Sequence, residues 1–374
     1  MNHVSADSES GPTPTEHLFQ AVKRFSLKGL DLGVAERVTE HVRSTPGSDF
    51  SAAWEQEGRH WWERAQNARD RGHLVTASRW FVQAYYAFRL VVFAEPNDSP
   101  RARNAYDRLD ESFQAWIAAS GARVFPRVID PEGLGCPAYL VLPEASDRPV
   151  PGVVFVYGAD GLKEEQVWQS ALPLAERGVA VLVGDGPGQG ATRRRGGVAL
   201  RHDFEVYGSA AHDLLAAEPA VDASRIVIYG SSFGGHLAPR VAAMDERFRA
   251  CIVNSTCFNV IDGVWNTYPP LREQLQYIIR AEDQADALDR YQPFDLSTVA
   301  PGASVPLRVF HGEADRLFGA EQAQQLHDTW GCEDKQLTIW PGASHNLFSH
   351  AMEAHESIWD VTADLAHGAS TSSP

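Results

Sequence analysis

The hydrophobic positions of the chain follow two different periods, and the change between them falls near Gly121. Before that residue, apolar side chains recur at steps of three and four positions, which is the spacing of one face of an α-helix. This pattern predicts a helical N-terminal cap segment over residues 16–120, and its clearest stretch is an aromatic stripe. The stripe consists of Trp80, Phe81, Ala84, Tyr85, Phe88, Val91 and Val92. We interpret it as core between helices, with the lining of a substrate channel as the alternative.

After Gly121, short runs rich in β-branched residues alternate with helical stretches. Runs such as V-V-F-V at 153–156 lack polar alternation, which is typical of parallel strands covered on both faces. The runs lie at 123–129, 138–142, 152–157, 179–183, 225–229, 250–254, 307–311 and 336–340. They predict an α/β fold over residues 121–367 with a doubly wound, mostly parallel eight-stranded sheet. Functional residues are then expected on loops at the carboxyl ends of the strands.

Two kinds of segment flank or interrupt this pattern. Residues 1–15 and 368–374 are rich in small and polar residues and in proline, and we predict disordered tails there. The stretch 259–300 lies between two predicted strands and is too long for a simple connection. Its Pro-Pro pair at 269–270 is followed by apolar residues at helical spacing, which predicts an inserted lid over a pocket.

The net charge of the chain narrows the classes of protein to which it can belong. The 374 residues include 33 Lys and Arg against 49 Asp and Glu, giving a net charge of −16. This balance excludes a nucleic-acid-binding protein, because phosphate binding requires a concentrated basic face. The one dense basic run is R-R-R at 193–195, which we interpret as a solvated loop. Attraction of a substrate carboxylate or phenolate is the alternative for this run.

Targeting and metal signals are missing from the sequence pattern. No apolar run approaches the ~20 residues that a membrane-spanning helix needs, and the first residues lack the pattern of a signal peptide. The four cysteines lie far apart, without metal-ligand or C-x-x-C spacing. We therefore expect reduced thiols in a cytoplasmic protein that has no metal site and no membrane partner.

The strongest chemical signal is G-S-S-F-G at 230–234, a G-x-S-x-G sequence. It follows a predicted strand at 226–229 and precedes a predicted helix at 235–243. A strand, this pentapeptide and a helix together form a nucleophile elbow, whose tight turn exposes the central serine. We therefore predict that Ser232 is a nucleophile; a glycine- and serine-rich turn without chemistry is the alternative.

A serine nucleophile needs a general base and a carboxylate that orients it. In α/β-hydrolases these follow the serine in the order acid, then histidine. Asp315 lies on the loop after the strand at 307–311, and His345 lies on the loop after the strand at 336–340. Glu313 is an alternative acid, but Asp315 is later in the loop and better placed. His311, by contrast, is interpreted as structural.

Backbone N–H groups complete the predicted site. The oxyanion hole of this fold combines the N–H after the nucleophile, here Phe233, with one from the loop after an early strand, here Ala159. Asp160 beside it could orient the loop, contact the substrate or face solvent. Trp265 and Tyr268 in the predicted lid favour an aromatic substrate, with ordinary packing as the alternative.

Two further motifs carry a family resemblance. The sequences V-Y-G-A-D-G-L-K-E-E at 156–165 and G-D-G-P-G-Q-G at 184–190 resemble those of the FrsA-like serine α/β-hydrolases, and the similarity covers about 49–366. The resemblance implies a homodimeric hydrolase with a helical cap and no cofactor, acting on esters or on C–C bonds next to a ketone. It implies the same triad. One member, which hydrolyses a pyridine compound, uses an extra acidic residue, for which Asp262 is the candidate here.

The motifs together predict a serine hydrolase that cleaves a small, aromatic or polyketide-like substrate through an acyl-enzyme on Ser232. An acyltransferase of secondary metabolism would use the same three residues and pass the acyl group to an alcohol or amine. A third hypothesis is a non-catalytic binding protein. The presence of all three catalytic residue types disfavours it.

Overall fold

A computed structural model describes residues 14–368, and within them the chain divides into two compact units. The first unit ends at Ala122 and the second begins at Arg123. Most of the two predicted tails lies outside the described residues. The exceptions are residues 14–15, which belong to the first helix, and Gly368, which ends the last helix.

The described part of the first unit contains five α-helices. They are α1 Pro14–Leu27, α2 Leu32–Ser44, α3 Phe50–Asp70, α4 Leu74–Ala94 and α5 Pro100–Ser120. Side chains cap three of their N-termini: Asp31, Asp49 and Ser99 each accept a hydrogen bond from a backbone N–H in the first turn. Because Ser99 caps α5, Pro100 occupies the first turn of the helix, where the missing N–H of proline leaves no hydrogen bond unmade.

The aromatic stripe lies on α4, which packs against α3 and α5. Apart from the half-buried Trp80, its side chains are buried, and the Phe81 ring lies 5.3 Å from the ring of Trp62. Tyr85 in turn lies 6.3 Å from Phe113 on α5. The interpretation of the stripe as helical core is confirmed by this burial.

Among the described residues, the second unit is built on one sheet of eight strands. They are β1 Val124–Ile129, β2 Cys136–Val141, β3 Val150–Val156, β4 Ala180–Gly184, β5 Val221–Ser231, β6 Cys251–Asn254, β7 Leu307–Gly312 and β8 Lys335–Trp340. Their order is β1-β2-β4-β3-β5-β6-β7-β8. The strand β2 runs antiparallel to β1 and β4, and all other neighbours are parallel. The predicted sheet is confirmed, and the carboxyl ends of β3 to β8 lie along one edge.

The described part of the second unit contains nine α-helices, and several of them pack against this sheet, as its parallel connections require. They are α6 Lys163–Gln166, α7 Leu172–Glu176, α8 Gly190–Arg194, α9 Glu205–Ala216, α10 Gly234–Met244, α11 Arg272–Ile279, α12 Gln284–Tyr291, α13 Ala320–Thr329 and α14 Ala351–His367. No helix in the described part of the chain combines the length and the apolar composition that a bilayer crossing requires.

Residues 255–306, which we call the insertion, connect β6 to β7 and include the predicted lid at 259–300. The insertion contains α11 and α12, and a π-helical turn at Ile261–Trp265. The apolar residues expected at helical spacing are buried on α11, namely Leu275, Ile278 and Ile279. This face packs into the same core as the sheet.

Candidate active site

The nucleophile elbow lies between β5, which ends at Ser231, and α10, which begins at Gly234. Ser232 has a φ of 59°, a left-handed conformation that is strained for a residue with a side chain. A Cβ atom at Gly234 would lie 2.1 Å from the carbonyl oxygen of Val156, so only glycine allows the helix to approach β3 this closely. The turn is therefore built as the sequence motif predicts.

The three residues predicted as a triad form one chain of hydrogen bonds. The Ser232 Oγ lies 2.8 Å from the His345 Nε2, and the His345 Nδ1 lies 2.8 Å from the Asp315 Oδ2. Asp315 follows β7 and His345 follows β8, so neighbouring parallel strands bring both residues to the edge where Ser232 lies. This geometry is the one that a general base and its orienting carboxylate need.

The Asp315 carboxylate is fixed on both oxygens. Its Oδ1 accepts the backbone N–H groups of Leu317 at 2.9 Å and Phe318 at 3.1 Å. Burial by itself raises the pKa of the Asp315 carboxyl, but the charge and hydrogen bond of His345 outweigh burial and lower that pKa. The Phe318 ring packs edge-on against the imidazole of His345, with centroids 5.0 Å apart. The acid is thus ionised and the imidazole is held in one orientation.

Two side chains near this carboxylate have other partners. Glu313, the alternative acid, is exposed and accepts a hydrogen bond from the backbone N–H of Gly342 at 2.9 Å. His311 is buried, with its Nε2 2.9 Å from the Phe318 carbonyl oxygen. Burial lowers the pKa of His311, so its ring is neutral beside the carboxylate. These contacts agree with the structural interpretation of His311.

The predicted oxyanion donors lie beside the nucleophile. A Cβ atom at Gly158 would lie 2.7 Å from the Ser232 Cβ and 3.4 Å from the Phe233 nitrogen, so the loop after β3 runs directly against the elbow. Within residues 14–368, neither the Phe233 N–H nor the Ala159 N–H donates a hydrogen bond. The Ala159 carbonyl oxygen instead accepts the side-chain amide of Gln274 at 2.8 Å. Gln274 carries no sequence motif, and sequence reasoning missed it.

The four residues predicted to contact substrate differ in how far their side chains are exposed. Asp160 and Tyr268 are half-buried. Trp265 is 2% exposed and packs 6.1 Å from the ring of Tyr291, so it is part of the core. Asp262 lies exposed on the π-helical turn, and no described residue forms a hydrogen bond with its carboxylate. Among the described residues, no hydrogen bond joins Asp262 to Ser232, Asp315 or His345, and its part in catalysis stays a prediction.

The two family motifs meet in a buried cluster of charges. The Lys163 Nζ donates to the Asp185 Oδ2 at 2.9 Å and also to the Glu164 carboxylate. The other oxygen of Asp185 accepts the hydroxyl of Tyr157, whose carbonyl oxygen in turn accepts the amide of Gln189 at 2.7 Å. Because Tyr157 directly precedes Gly158, this cluster holds the start of the loop that passes the nucleophile.

The first residue of the arginine run is buried, although the run was interpreted as a solvated loop. Arg195 is exposed, as a solvated loop requires, but Arg193 is only 9% exposed. The Arg193 guanidinium lies 3.9 Å from the ring centroid of Tyr277 on α11, and its Nε donates to the Tyr277 carbonyl oxygen at 2.8 Å. The burial arises because α8 packs beneath the insertion, which sequence spacing does not reveal.

Metal-ligating residues do not cluster in the described part of the chain: no group of three or more His, Cys, Asp or Glu side chains is arranged to hold an ion. The strand order, the elbow after β5 and the loops after β7 and β8 together define an α/β-hydrolase fold.

The chain belongs to the FrsA-like esterase family. The family model described as "Esterase FrsA-like" matches residues 48–263, which include most of the helical unit and the nucleophile elbow. A second model, that of the prolyl oligopeptidase family, matches residues 166–363 and thus includes all three residues of the hydrogen-bonded chain. The resemblance read from the two sequence motifs is confirmed.

Several relatives are fungal proteins. The chain is 29% identical to the α/β hydrolase pydG of an Acremonium species, over 92% of this chain and 88% of that one. It is 30% identical to the α/β hydrolase xenA of Xenoacremonium sinensis, over 61% of this chain and 56% of xenA. It is also 33% identical to the hydrolyase poxO of Penicillium oxalicum, over 51% and 54%. The chain thus spans little more than half the length of xenA and poxO.

Solved structures share the architecture. The 2,6-dihydroxy-pseudo-oxynicotine hydrolase has a TM-score of 0.83 at 22% identity, over 93% of this chain and 97% of that chain. AbyA5 has a TM-score of 0.66 at 18% identity, over 92% and 98%. At these identities the likeness shows the fold, including a helical segment before the α/β core.

Proposed function

We propose that the protein is a serine hydrolase that cleaves an ester, or a C–C bond next to a ketone, in a small substrate through an acyl-enzyme on Ser232. The observation that carries this proposal is the continuous hydrogen-bonded chain from the Ser232 Oγ through His345 to Asp315, with both contacts at 2.8 Å. It stands beside two backbone N–H groups, of Phe233 and Ala159, that have no acceptor within residues 14–368.

In the acylation step, the Ser232 Oγ attacks the substrate carbonyl carbon while its proton passes to the His345 Nε2. Asp315 stabilises the imidazolium that forms, since its carboxylate accepts the hydrogen bond of the Nδ1. The Phe233 and Ala159 N–H groups donate to the developing oxyanion. The tetrahedral intermediate then expels the leaving group, which takes the proton from His345, and the acyl-enzyme remains.

In the second step, a water molecule gives a proton to His345 and attacks the acyl carbon, and the carboxylic acid is released as Ser232 recovers its proton. When the leaving group is a carbanion, the bond that breaks is a C–C bond and the proton goes to carbon. A ketone or ring must then delocalise the charge before protonation.

We also propose that the protein is a homodimer in the cytoplasm. Light scattering measures the oligomeric state directly.

A fluorophosphonate probe tests the nucleophile, because it reacts covalently with an activated serine. We expect labelling of the unmodified protein, none of Ser232→Ala and slow labelling of His345→Ala. The matched control is Ser231→Ala, which removes the neighbouring hydroxyl, 3.4 Å from the Asn346 Oδ1 and not bonded to His345. Labelling of Ser232→Ala at the unmodified rate, in a variant whose melting curve shows a folded protein, would contradict the proposal.

Substrate turnover separates hydrolysis from acyl transfer. We expect short p-nitrophenyl esters to be converted to the free acid even when an alcohol or amine acceptor is added. An acyltransferase would instead divert most of the acyl group to the acceptor.

A further inference from the structure

Strained backbone collects around the residues of the hydrogen-bonded chain. Among the described residues, seven that are not glycine have a left-handed φ, and four of these follow strands β5, β6 and β8. The four are Ser232 at 59°, Ser255 at 60°, Asn346 at 53° and Leu347 at 58°. Such angles are uncommon for residues with a side chain and persist only where the surroundings hold them. The turn after β6 and the loop after β8 are therefore held by specific contacts.

A serine hydroxyl joins the turn after β6 to the loop of the general base. Ser255 directly follows β6 and is fully buried. Its Oγ accepts the backbone N–H of Asn346, the residue after His345, over 3.0 Å. A peptide unit is planar, so this contact restricts the whole unit between His345 and Asn346. The imidazole extends from the His345 Cα at one end of that unit, and its ring therefore has less freedom to move away from Ser232.

The same turn also contacts the strands of the nucleophile and of the acid. The carbonyl oxygen of Asn254 accepts the backbone N–H of Ser232 over 2.9 Å. The backbone N–H of Ser255 donates to the carbonyl oxygen of Phe310 over 2.9 Å. Phe310 lies on β7, the strand that precedes Asp315. Ser255 is thus anchored between the two neighbouring strands, and its hydroxyl has a fixed position relative to both.

A second contact holds the next peptide unit of the base's loop. The His355 Nε2 on α14 donates to the carbonyl oxygen of Asn346 over 2.8 Å. Leu347, which follows, is fully buried. These features restrain the loop beyond Asn346, whereas the Ser255 hydroxyl acts on the peptide unit that is joined directly to the base.

We propose that Ser255 is a positioning residue for the general base, whose hydroxyl holds the backbone after His345. The inference rests on the proposed hydrolase function and adds a residue to the same site. Proton transfer needs a distance of roughly 2.6–3.2 Å between the two heavy atoms. The Ser232 Oγ and the His345 Nε2 are 2.8 Å apart, so a small displacement of the base takes the pair out of this range. Ser255 acts through the backbone and not through the reacting atoms.

The kinetic test compares Ser255→Ala with the unmodified protein on p-nitrophenyl esters. Alanine leaves the Asn346 N–H without the hydroxyl that accepts it. We expect kcat to fall by about ten- to a hundredfold, because a small misplacement of a catalytic group slows proton transfer. KM is expected to stay nearly unchanged, since Ser255 does not bind substrate. An unchanged kcat, or a loss that appears only in KM, overturns the proposal.

The matched control is Ser112→Ala, which makes the same change at an equally buried serine. The Ser112 hydroxyl donates to the Arg108 carbonyl oxygen within α5, so we expect its loss to leave kcat unchanged. An equal fall of kcat in this variant overturns the positioning role of Ser255.

Two further variants separate the hydroxyl from the strained backbone. Glycine adopts a φ of 60° without strain, so Ser255→Gly is expected to melt at a higher temperature than Ser255→Ala and still to lose as much kcat. Ser255→Cys places a weaker acceptor at the same position and is expected to keep part of the activity. A kcat of Ser255→Gly equal to that of the unmodified protein overturns the proposal.

Proton NMR makes the result independent of turnover. The proton between the His345 Nδ1 and the buried Asp315 carboxylate is expected to give a resonance far downfield, assigned by its loss in His345→Ala. We expect this resonance to shift or broaden in Ser255→Ala and Ser255→Gly and to stay unchanged in Ser112→Ala. Fluorophosphonate labelling of the unmodified protein, with the resonance unchanged in both Ser255 variants, contradicts the positioning role alone. A changed resonance in a protein that the probe does not label contradicts the hydrolase function alone.

Discussion

Gln274 donates its side-chain amide to the backbone carbonyl oxygen of Ala159 over 2.8 Å, and this contact joins the insertion to the loop beside the nucleophile. Gln274 lies on α11, whereas Ala159 is the residue whose N–H we propose as an oxyanion donor. The Ala159 carbonyl shares its planar peptide unit with the N–H of Asp160, and the Ala159 N–H lies in the neighbouring unit, joined to it at the Ala159 Cα. The contact therefore limits the movement of the Ala159 N–H without setting its direction. The position of α11 therefore affects the geometry of the proposed oxyanion hole.

Replacing this amide is expected to reduce kcat more than it changes KM. Loss of an entire oxyanion donor costs roughly 10²–10³ in kcat, and Gln274→Leu removes only a contact that limits the movement of one, so we expect a loss of about tenfold. Gln276→Leu is the control, because Gln276 lies on the same helix and bonds to carbonyl oxygens at the end of that helix instead. Steady-state kinetics on p-nitrophenyl esters measures both variants. An equal loss in Gln276→Leu would mean that α11 is merely destabilised.

The two carboxylates on the loop after β7 allow a matched comparison. Asp315→Asn keeps the shape of the side chain but places an amide against the His345 Nδ1, which favours the wrong tautomer of the ring. We expect kcat to fall by about 10³–10⁴ while the fold is retained. Glu313→Gln makes the same chemical change at an exposed position and is expected to leave kcat near that of the unmodified protein. If Glu313→Gln were the more damaging change, the acid would have to be reassigned.

The residues of the hydrogen-bonded chain could be predicted because strand ends determine their positions. Ser232 and Asp315 follow strands with buried apolar runs, His345 follows the half-buried strand β8, and a parallel sheet brings such ends to one edge. The start of β5 could not be predicted from the same signal. Residues 222–225 of that strand are half-buried or exposed, so they lack the apolar run that marks the rest of it.

The sequence pattern could not predict which side chains of the insertion are exposed and which are buried. Asp262 and Trp265 are three positions apart on a π-helical turn, and the turn exposes the carboxylate and buries the indole. The residues next to Arg193 in the sequence predict a solvated side chain. In the structure it is covered by Tyr277, which lies more than eighty residues further along the chain. Contacts of this separation depend on how the insertion packs, and no local spacing encodes that.

The buried cluster of the two family motifs is expected to be important for stability. Lys163→Met removes the cation between Glu164 and Asp185, whose side chains are both fully buried. Two carboxylates then remain without their shared partner, and the free energy of unfolding is expected to fall by about 3–5 kcal/mol. Urea denaturation measures this change. Adding Asp185→Asn to the same variant is expected to recover part of the loss, because it removes one of the two like charges.

A surface pair provides the comparison for that prediction. Arg290→Met breaks the ion pair with Asp286 on α12, where both groups are in contact with solvent. Exposed pairs contribute little to stability, so this variant is expected to unfold at nearly the same urea concentration as the unmodified protein. A loss in Arg290→Met as large as that in Lys163→Met would show that burial of the cluster is not the cause.

The pH dependence of stability should depend on Asp245. Burial alone raises the pKa of the Asp245 carboxyl. Hydrogen bonds from the Arg247 side chain, the Ser209 hydroxyl and the Arg247 N–H outweigh burial, and so does the charge of the guanidinium. Together they lower this pKa from 3.8 to about 2. A carboxyl whose pKa is lower in the folded protein stabilises it above the unfolded pKa, and the stabilisation disappears as pH falls through the folded value. Asp245→Asn should therefore lower the free energy of unfolding most near neutral pH, and the difference from the unmodified protein should shrink between pH ~4 and pH ~2. Urea denaturation across that range measures it, with Asp147→Asn, at an exposed position, as the control. A difference that stays constant with pH would show that Asp245 acts through packing and not through its charge.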